Sequence, residues 1–210
     1  GNVHTHTELR GIFRSTDGGK TWAKTLYVDN ETGGQDLAAA FDTPNVVLGV
    51  TVRHYTAPGG AARAGGAAAA PAAAGGRGAA PQGPNGTGLF KSTDQGVTWT
   101  EIKGHGLPEP MTGRMAVAIA PNTHAQRMFV IGGFGLYRSD DGGANWKQMA
   151  ATDRRIANGQ GNYTSGVFVD SKNPDIVYTL ATSSYKSTDG GNTFTGFKGA
   201  PGGDDPQVMW

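Results

Sequence analysis

An all-β fold assembled from repeats of a four-stranded unit is what these 210 residues predict. Three observations lead there. A nine-residue motif occurs four times, a pair of β-rich runs recurs between its copies, and 35 Gly with 11 Pro mark a chain of many turns. No stretch carries the 3.6-residue apolar period of a helix, which argues against repeats of helical hairpins.

The motif reads Arg14-Ser-Thr-Asp-Gly-Gly-Lys-Thr-Trp22 at its first occurrence and Lys91-Ser-Thr-Asp-Gln-Gly-Val-Thr-Trp99 at its second. It returns as Arg138-Ser-Asp-Asp-Gly-Gly-Ala-Asn-Trp146 and as Lys186-Ser-Thr-Asp-Gly-Gly-Asn-Thr-Phe194. Its markers are Ser15, Ser92, Ser139 and Ser187, of which the last three stand 47 and 48 residues apart. The first interval is longer by the 30 residues of 57–86, nearly all Ala, Gly and Pro, so one period runs through the chain with one insertion. Each copy has the chemistry of a strand, a turn and a second strand. An apolar lead-in such as Gly135-Leu-Tyr137 enters it, and alternating residues such as Lys147-Gln-Met149 leave it. The carboxylates Asp17, Asp94, Asp141 and Asp189 can accept turn N–H groups. Gly19, Gly96, Gly143 and Gly191 can take positive φ. Trp22, Trp99, Trp146 and Phe194 are expected to bury a large apolar face between neighbouring strands.

Between the motifs, Asp36–Asp42 is followed by Asn45–Val50, Met115–Pro121 by Arg127–Ile131, and Gly166–Asp170 by Asp175–Leu180. A Pro/Asn turn joins each pair, so every period holds four short strands, the size of a β-propeller blade. Counting strands divides the chain into a half blade (1–30), a blade (31–104) interrupted by the low-complexity insertion 57–86, two further blades (105–151 and 152–199) and the start of another (200–210). About four blades' worth is covered. Both ends cut a blade, which predicts a larger propeller completed by the same longer chain or by a partner chain.

Composition narrows the function classes. With 18 basic and 17 acidic side chains there is no long-range field to attract nucleic acid, and no basic run is present. No apolar run is long enough to span a membrane. There are no cysteines, which removes disulfides, thiolate metal sites and cysteine nucleophiles. No cofactor motif is present, so none is expected.

The motif resembles the Asp box, or BNR repeat, of sialidases, xyloglucan-cleaving glycosidases, photosystem II assembly factors and sortilin-type receptor domains. The wider wording, including Arg10–Trp22, Leu26–Asp29 with Thr32–Leu37, and Lys172–Tyr178, is similar to bacterial sortilin-like (VPS10-domain) proteins often labelled glycosyl hydrolases. That resemblance implies a propeller whose Asp-box residues fold the blade periphery, away from the axial face where ligands bind. It also implies an extracellular, periplasmic or cell-surface location. Function does not follow from the fold.

The candidate catalytic residues are Asp36, Asp204 and Asp205, which open or precede inner strands and would need to face one cleft as a pair. Arg114, Arg154 and Arg155 do not form the pattern of a sialidase arginine cluster. His4 and His6, two apart, would share one side of a strand but have no evident third metal ligand, so no metal site is expected. Asn30, Asn85 and Asn162 begin sequons in expected loops. The insertion 57–86 is expected to be a loop within a blade, with packing against a neighbour as its functional alternative. Three functions are compatible with these residues: a secreted or surface propeller that binds a protein or carbohydrate ligand, an Asp-box glycoside hydrolase with paired carboxylates, and a structural assembly subunit.

Overall fold

A computed structural model describes residues 6–53, 86–157 and 166–198. They form fourteen strands: β1 (Ile12–Arg14), β2 (Ala23–Leu26), β3 (Thr32–Ala39), β4 (Val47–Arg53), β5 (Gly88–Ser92), β6 (Thr100–Ile102), β7 (Met115–Ile119), β8 (Met128–Gly132), β9 (Gly135–Ser139), β10 (Lys147–Met149), β11 (Gly166–Val169), β12 (Val177–Leu180), β13 (Ser184–Ser187) and β14 (Thr195–Lys198). A 3-10 turn at Arg154–Ala157 is the one helical element among the described residues. The strands make one two-stranded sheet, β1-β2, and three four-stranded antiparallel meanders, β3 to β6, β7 to β10 and β11 to β14. These are propeller blades, the first represented by its two outer strands.

The inner strands β3, β7 and β11 pack in sequence, β3 on β7 and β7 on β11. The strand code explains how one sheet serves two neighbours. Side chains alternate across a strand, and in β7 Met115, Val117 and Ile119 join the apolar cluster shared with the β3–β6 sheet, while Ala116 and Ala118 join the one shared with the β11–β14 sheet. Every residue of β7 and of β8 is therefore buried, which is why these strands read as continuous apolar runs. A third cluster, Ile12 and Leu26 with Phe90 and Trp99, joins β1-β2 to the next sheet.

One expectation about the aromatic markers is corrected. Trp99, Trp146 and Phe194 are each 6% exposed, but Trp22 is 62% exposed. Its indole N–H still reaches the Gly19 carbonyl at 3.0 Å, so its turn is formed. What differs is the covering: Trp99 lies beneath Ile12 and Leu26 of the preceding sheet, and among the described residues no sheet precedes Trp22.

Antiparallel meanders sort the connections to two ends. The Asp-box turns lie at the end that also carries the turns 40–46, 120–127 and 170–176. The other end collects the connections 27–31, 103–114, 133–134 and 181–183, and there β4 ends, β5 begins and β11 begins. The insertion is rooted at this second end, between Arg53 and Gly86. Its residues 57–85 lie outside the described residues, as do Asp204, Asp205, His4, Asn85, Asn162 and the expected start of a further blade at 200–210. Gly86 itself is packed: at φ +67° a Cβ would sit 2.0 Å from Thr32 Oγ1, and its carbonyl accepts a hydrogen bond from Thr51 Oγ1 at 2.9 Å. Glycine is required there as the chain re-enters β5.

Candidate functional site

The four Asp boxes share one hydrogen-bond network. In the first, Gly19 N donates to Ser15 Oγ at 2.8 Å, Thr21 N to Asp17 Oδ1 at 2.9 Å and Thr21 Oγ1 to Asp17 Oδ2 at 2.6 Å. Ser92, Asp94, Gly96 and Thr98 repeat it, as do Ser187, Asp189, Gly191 and Thr193. In the third box Asn145 replaces Thr, and its Nδ2 donates to Asp141 Oδ2 at 2.7 Å, while Gly143 N donates to Ser139 Oγ. Hydrogen bonds from the side chain, then the backbone, of the Thr or Asn four residues on hold Asp17, Asp94 and Asp141 down to about 2. At Asp189 burial is the largest influence and raises the pKa, but the bonds from Thr193, Ser187 and Asn192 outweigh it and the result is again about 2. Both carboxylate oxygens are spent on the turn, so these groups fold the corner and have no proton to exchange near neutral pH.

Asp36 is the candidate carboxylate that falls among the described residues. It follows the bulge in β3 between Gly34 and Asp36, half-buried, and points toward the β7 sheet. Its Oδ1 accepts Leu37 N at 2.9 Å and its Oδ2 accepts Val117 N at 3.0 Å. Burial pushes its pKa up, and the two N–H bonds from Val117 and Leu37 pull against that. No neighbouring charge among the described residues enters this balance. Corresponding positions on the next two inner strands are Ala116 and Gly166, as the shared Ala40, Ala120 and Asp170 backbone contacts show. Asp36 is thus particular to its blade, where it ties one inner strand to the next.

Of the arginines considered, Arg155 is tied into the scaffold. Arg155 donates to Asp153 Oδ1 and Oδ2 at 2.7 and 2.6 Å and to the Phe194 carbonyl at 3.2 Å, with its guanidinium 5.3 Å from the Tyr185 ring centre. Arg154 shares the same 3-10 turn, and Arg114 lies in the connection before β7. No cluster of three or more His, Asp or Glu with metal-holding geometry occurs among the described residues.

Motif reading missed a polar group at the end opposite the Asp boxes. His6 Nδ1 lies 3.3 Å from Asn30 Oδ1 and 3.4 Å from Glu31 Oε1, and Arg53 pairs with the other Glu31 oxygen. Arg10 Nε donates to the Asn30 carbonyl at 3.0 Å. Asp29 Oδ1 accepts Glu31 N at 2.8 Å and shapes the turn that feeds β3. Beside them Lys24 Nζ sits 4.3 Å over the Tyr27 ring and bonds the Glu8 carbonyl. Burial, then the hydrogen bond to Glu8, pushes the Tyr27 phenol well above its ordinary value. Residues from three chain segments therefore converge at the mouth of β3, beside the root of the insertion. The sequence signal was only that Thr32–Leu37 opens an inner strand; Arg53 joins through the β3–β4 register, where it pairs with Thr32.

Comparison with known proteins agrees with this architecture. The BNR/Asp-box repeat family matches residues 13–24. The chain folds as blades of a β-propeller with Asp-box turns. The Niastella koreensis GH74 enzyme superimposes with a TM-score of 0.60 at 21% identity, over 91% of this chain and 27% of that one. The Xanthomonas campestris GH74 xyloglucanase gives 0.61 at 17% identity, over 93% and 28%. The Asp-box propeller thus spans little more than a quarter of the length of these enzymes, and the likeness is one of fold. No curated protein matches its sequence.

Proposed function

We propose that this propeller is a secreted or cell-surface binding module that holds a protein or carbohydrate ligand on the face opposite its Asp boxes, without chemistry. One observation carries the reading: the convergence of His6, Asn30, Glu31 and Arg53, beside Tyr27, at the mouth of an inner strand. Ionic and amide groups beside an aromatic ring suit a polar, hydroxyl-rich or peptide ligand, and sites at the ends of inner strands can be shared between blades. The one candidate carboxylate in view, Asp36, is engaged by two backbone N–H groups, which supports a bracing role.

The test is affinity electrophoresis and calorimetry against a panel of polysaccharides and peptides, run beside a reducing-sugar assay. Binding by the parent protein should fall at least about tenfold in Glu31→Gln and Arg53→Gln, the loss expected when a partly buried charge loses its partner. Phe41→Ser, at a 91% exposed position on the opposite end, should leave it unchanged. Steady release of reducing ends that Asp36→Asn abolishes would replace this reading with a glycoside hydrolase.

A further inference from the structure

The blades are tied together at one recurring position. The base immediately ahead of each Asp-box Ser crosses the blade boundary and donates to the backbone carbonyl three residues after the Ser of the next box. Arg14 Nε reaches Gln95 O at 2.9 Å, Lys91 Nζ reaches Gly142 O at 2.6 Å and Arg138 Nη1 reaches Gly190 O at 2.7 Å. The acceptors Gln95, Gly142 and Gly190 all have left-handed φ, of 63°, 71° and 70°. Guanidinium and ammonium both serve, so the shared feature is a cationic donor on a neutral carbonyl, a charge-assisted bond. A Cβ at Gly190 would lie 2.7 Å from Arg138 Nη1, which shows how close the base comes.

Two halves of this device are left over among the described residues. Gly18 has the acceptor's place in the first box and its φ, 72°. Lys186 has the donor's place in the last, and its ammonium lies 5.6 Å from the Tyr178 ring centre. The face that carries Gly18 also carries Trp22, 62% exposed where its three counterparts are 6% exposed. At the next boundary the equivalent Trp99 is covered by the outer strand pair of the preceding blade, with its indole N–H donating to Thr25 Oγ1 at 3.2 Å.

We propose that the base before the Asp-box Ser is an inter-blade latch, and that the Trp22 face takes a further Asp-box blade of the same polypeptide carrying Arg or Lys immediately ahead of its Ser. Lys186 latches in turn onto the Asp-box carbonyl of a blade on the other side. The occupant follows from continuity: three successive boundaries use one aromatic cover and one cation-to-carbonyl bond, and both open faces present the matching half. A partner of another build would leave the Gly18 carbonyl without its cation and Trp22 without the two apolar strands that cover Trp99.

The experiment uses the intact natural protein. Its lysines are acetylated with a dilute amine-reactive reagent, and the rate at each is read by peptide mass spectrometry. Lys91, which is latched, and Lys147, which is exposed, are the internal standards. Lys186 should react like Lys91 and about tenfold slower than Lys147, the protection of a hydrogen bond to a charged group. Cross-linking a mixture of isotopically light and heavy protein should join Lys186 to a box outside residues 1–210 of its own copy. A Lys186 that reacts as fast as Lys147 overturns the latch. Protection accompanied by light-to-heavy cross-links overturns the same-polypeptide blade in favour of a second copy. Both readouts use the parent sequence, so neither depends on a variant that must fold.

Discussion

Trp22 and Trp99 occupy the same place in the same motif, yet one is exposed and the other buried. Their turns are alike: a Ser hydroxyl accepts the Gly N–H four residues on, and an Asp carboxylate closes on a Thr. Only the indole N–H differs, donating to the Gly19 carbonyl of its own box from Trp22 and to Thr25 Oγ1 of the neighbouring sheet from Trp99. The difference lies entirely in the neighbouring sheet, which puts Ile12 and Leu26 over Trp99 and has no described counterpart over Trp22. The Asp box therefore shapes a corner by local hydrogen bonds and offers an aromatic, and the adjacent blade decides whether that aromatic contributes burial to stability.

The comparison breaks most sharply by truncation. Trp99→Ala or Trp146→Ala should cost about 3–5 kcal/mol in denaturant unfolding, the usual loss for a buried large aromatic. In the same 210-residue chain Trp22→Ala should cost no more than about 1 kcal/mol, because much of its surface is already wet. Equal losses at the two positions would show that Trp22 is covered in solution.

Asp36 tests the seam between inner strands. Asp36→Ala leaves the Val117 N–H without its acceptor and should cost about 1–3 kcal/mol. Asp36→Asn keeps an amide oxygen in place and should cost less at neutral pH than in acid. The sign follows from the raised pKa: the folded state favours the protonated acid, so the favourable contribution is full below the unfolded pKa and is lost as pH rises through the folded one. Unfolding curves of parent and Asn variant at pH 4 and pH 7 check this.

The latch gives a smaller contrast. Lys91→Met should cost about 1 kcal/mol by losing its bond to Gly142. Lys186→Met in the 210-residue chain should stay within about 0.5 kcal/mol, since its place donates across no described boundary. A matched pair of thermal melts decides it.

The carboxylates themselves should show no contrast at all. Asp17 and Asp94 are held at about 2 by the same Thr bonds, so side-chain carbon shifts should titrate together near that pH despite the difference in Trp burial. Because their folded pKa values are depressed, their contribution to stability is present above the ordinary carboxylate range and is lost as pH falls through about 2. A midpoint for Asp17 near its ordinary value would mean that its corner needs a covering blade to form.

Legibility followed the range of the forces. The all-β repeat and its four-stranded unit were readable because the Ser, Asp, Gly and aromatic markers act within a few residues and because strand alternation is written into runs such as Met115–Ile119. The polar group of His6, Asn30, Glu31 and Arg53 was not readable. Arg53 reaches Glu31 only through the pairing of β3 with β4, more than twenty residues apart, and no local pattern encodes that meeting. Asp36 stood out as an acid opening an inner strand, but its engagement by Val117, 81 residues away, required the packing of β3 on β7.

From the amino acids alone came the period, the corners and the alternating faces, all consequences of local sterics, turn hydrogen bonds and the two-residue repeat of a strand. Only the tertiary structure decided which aromatics are covered, which base reaches which carbonyl, and that the polar cluster and the root of the insertion share the end opposite the Asp boxes. Those outcomes depend on contacts between residues from 20 to 81 positions apart, whose free energy is gained only when strands pair and sheets stack.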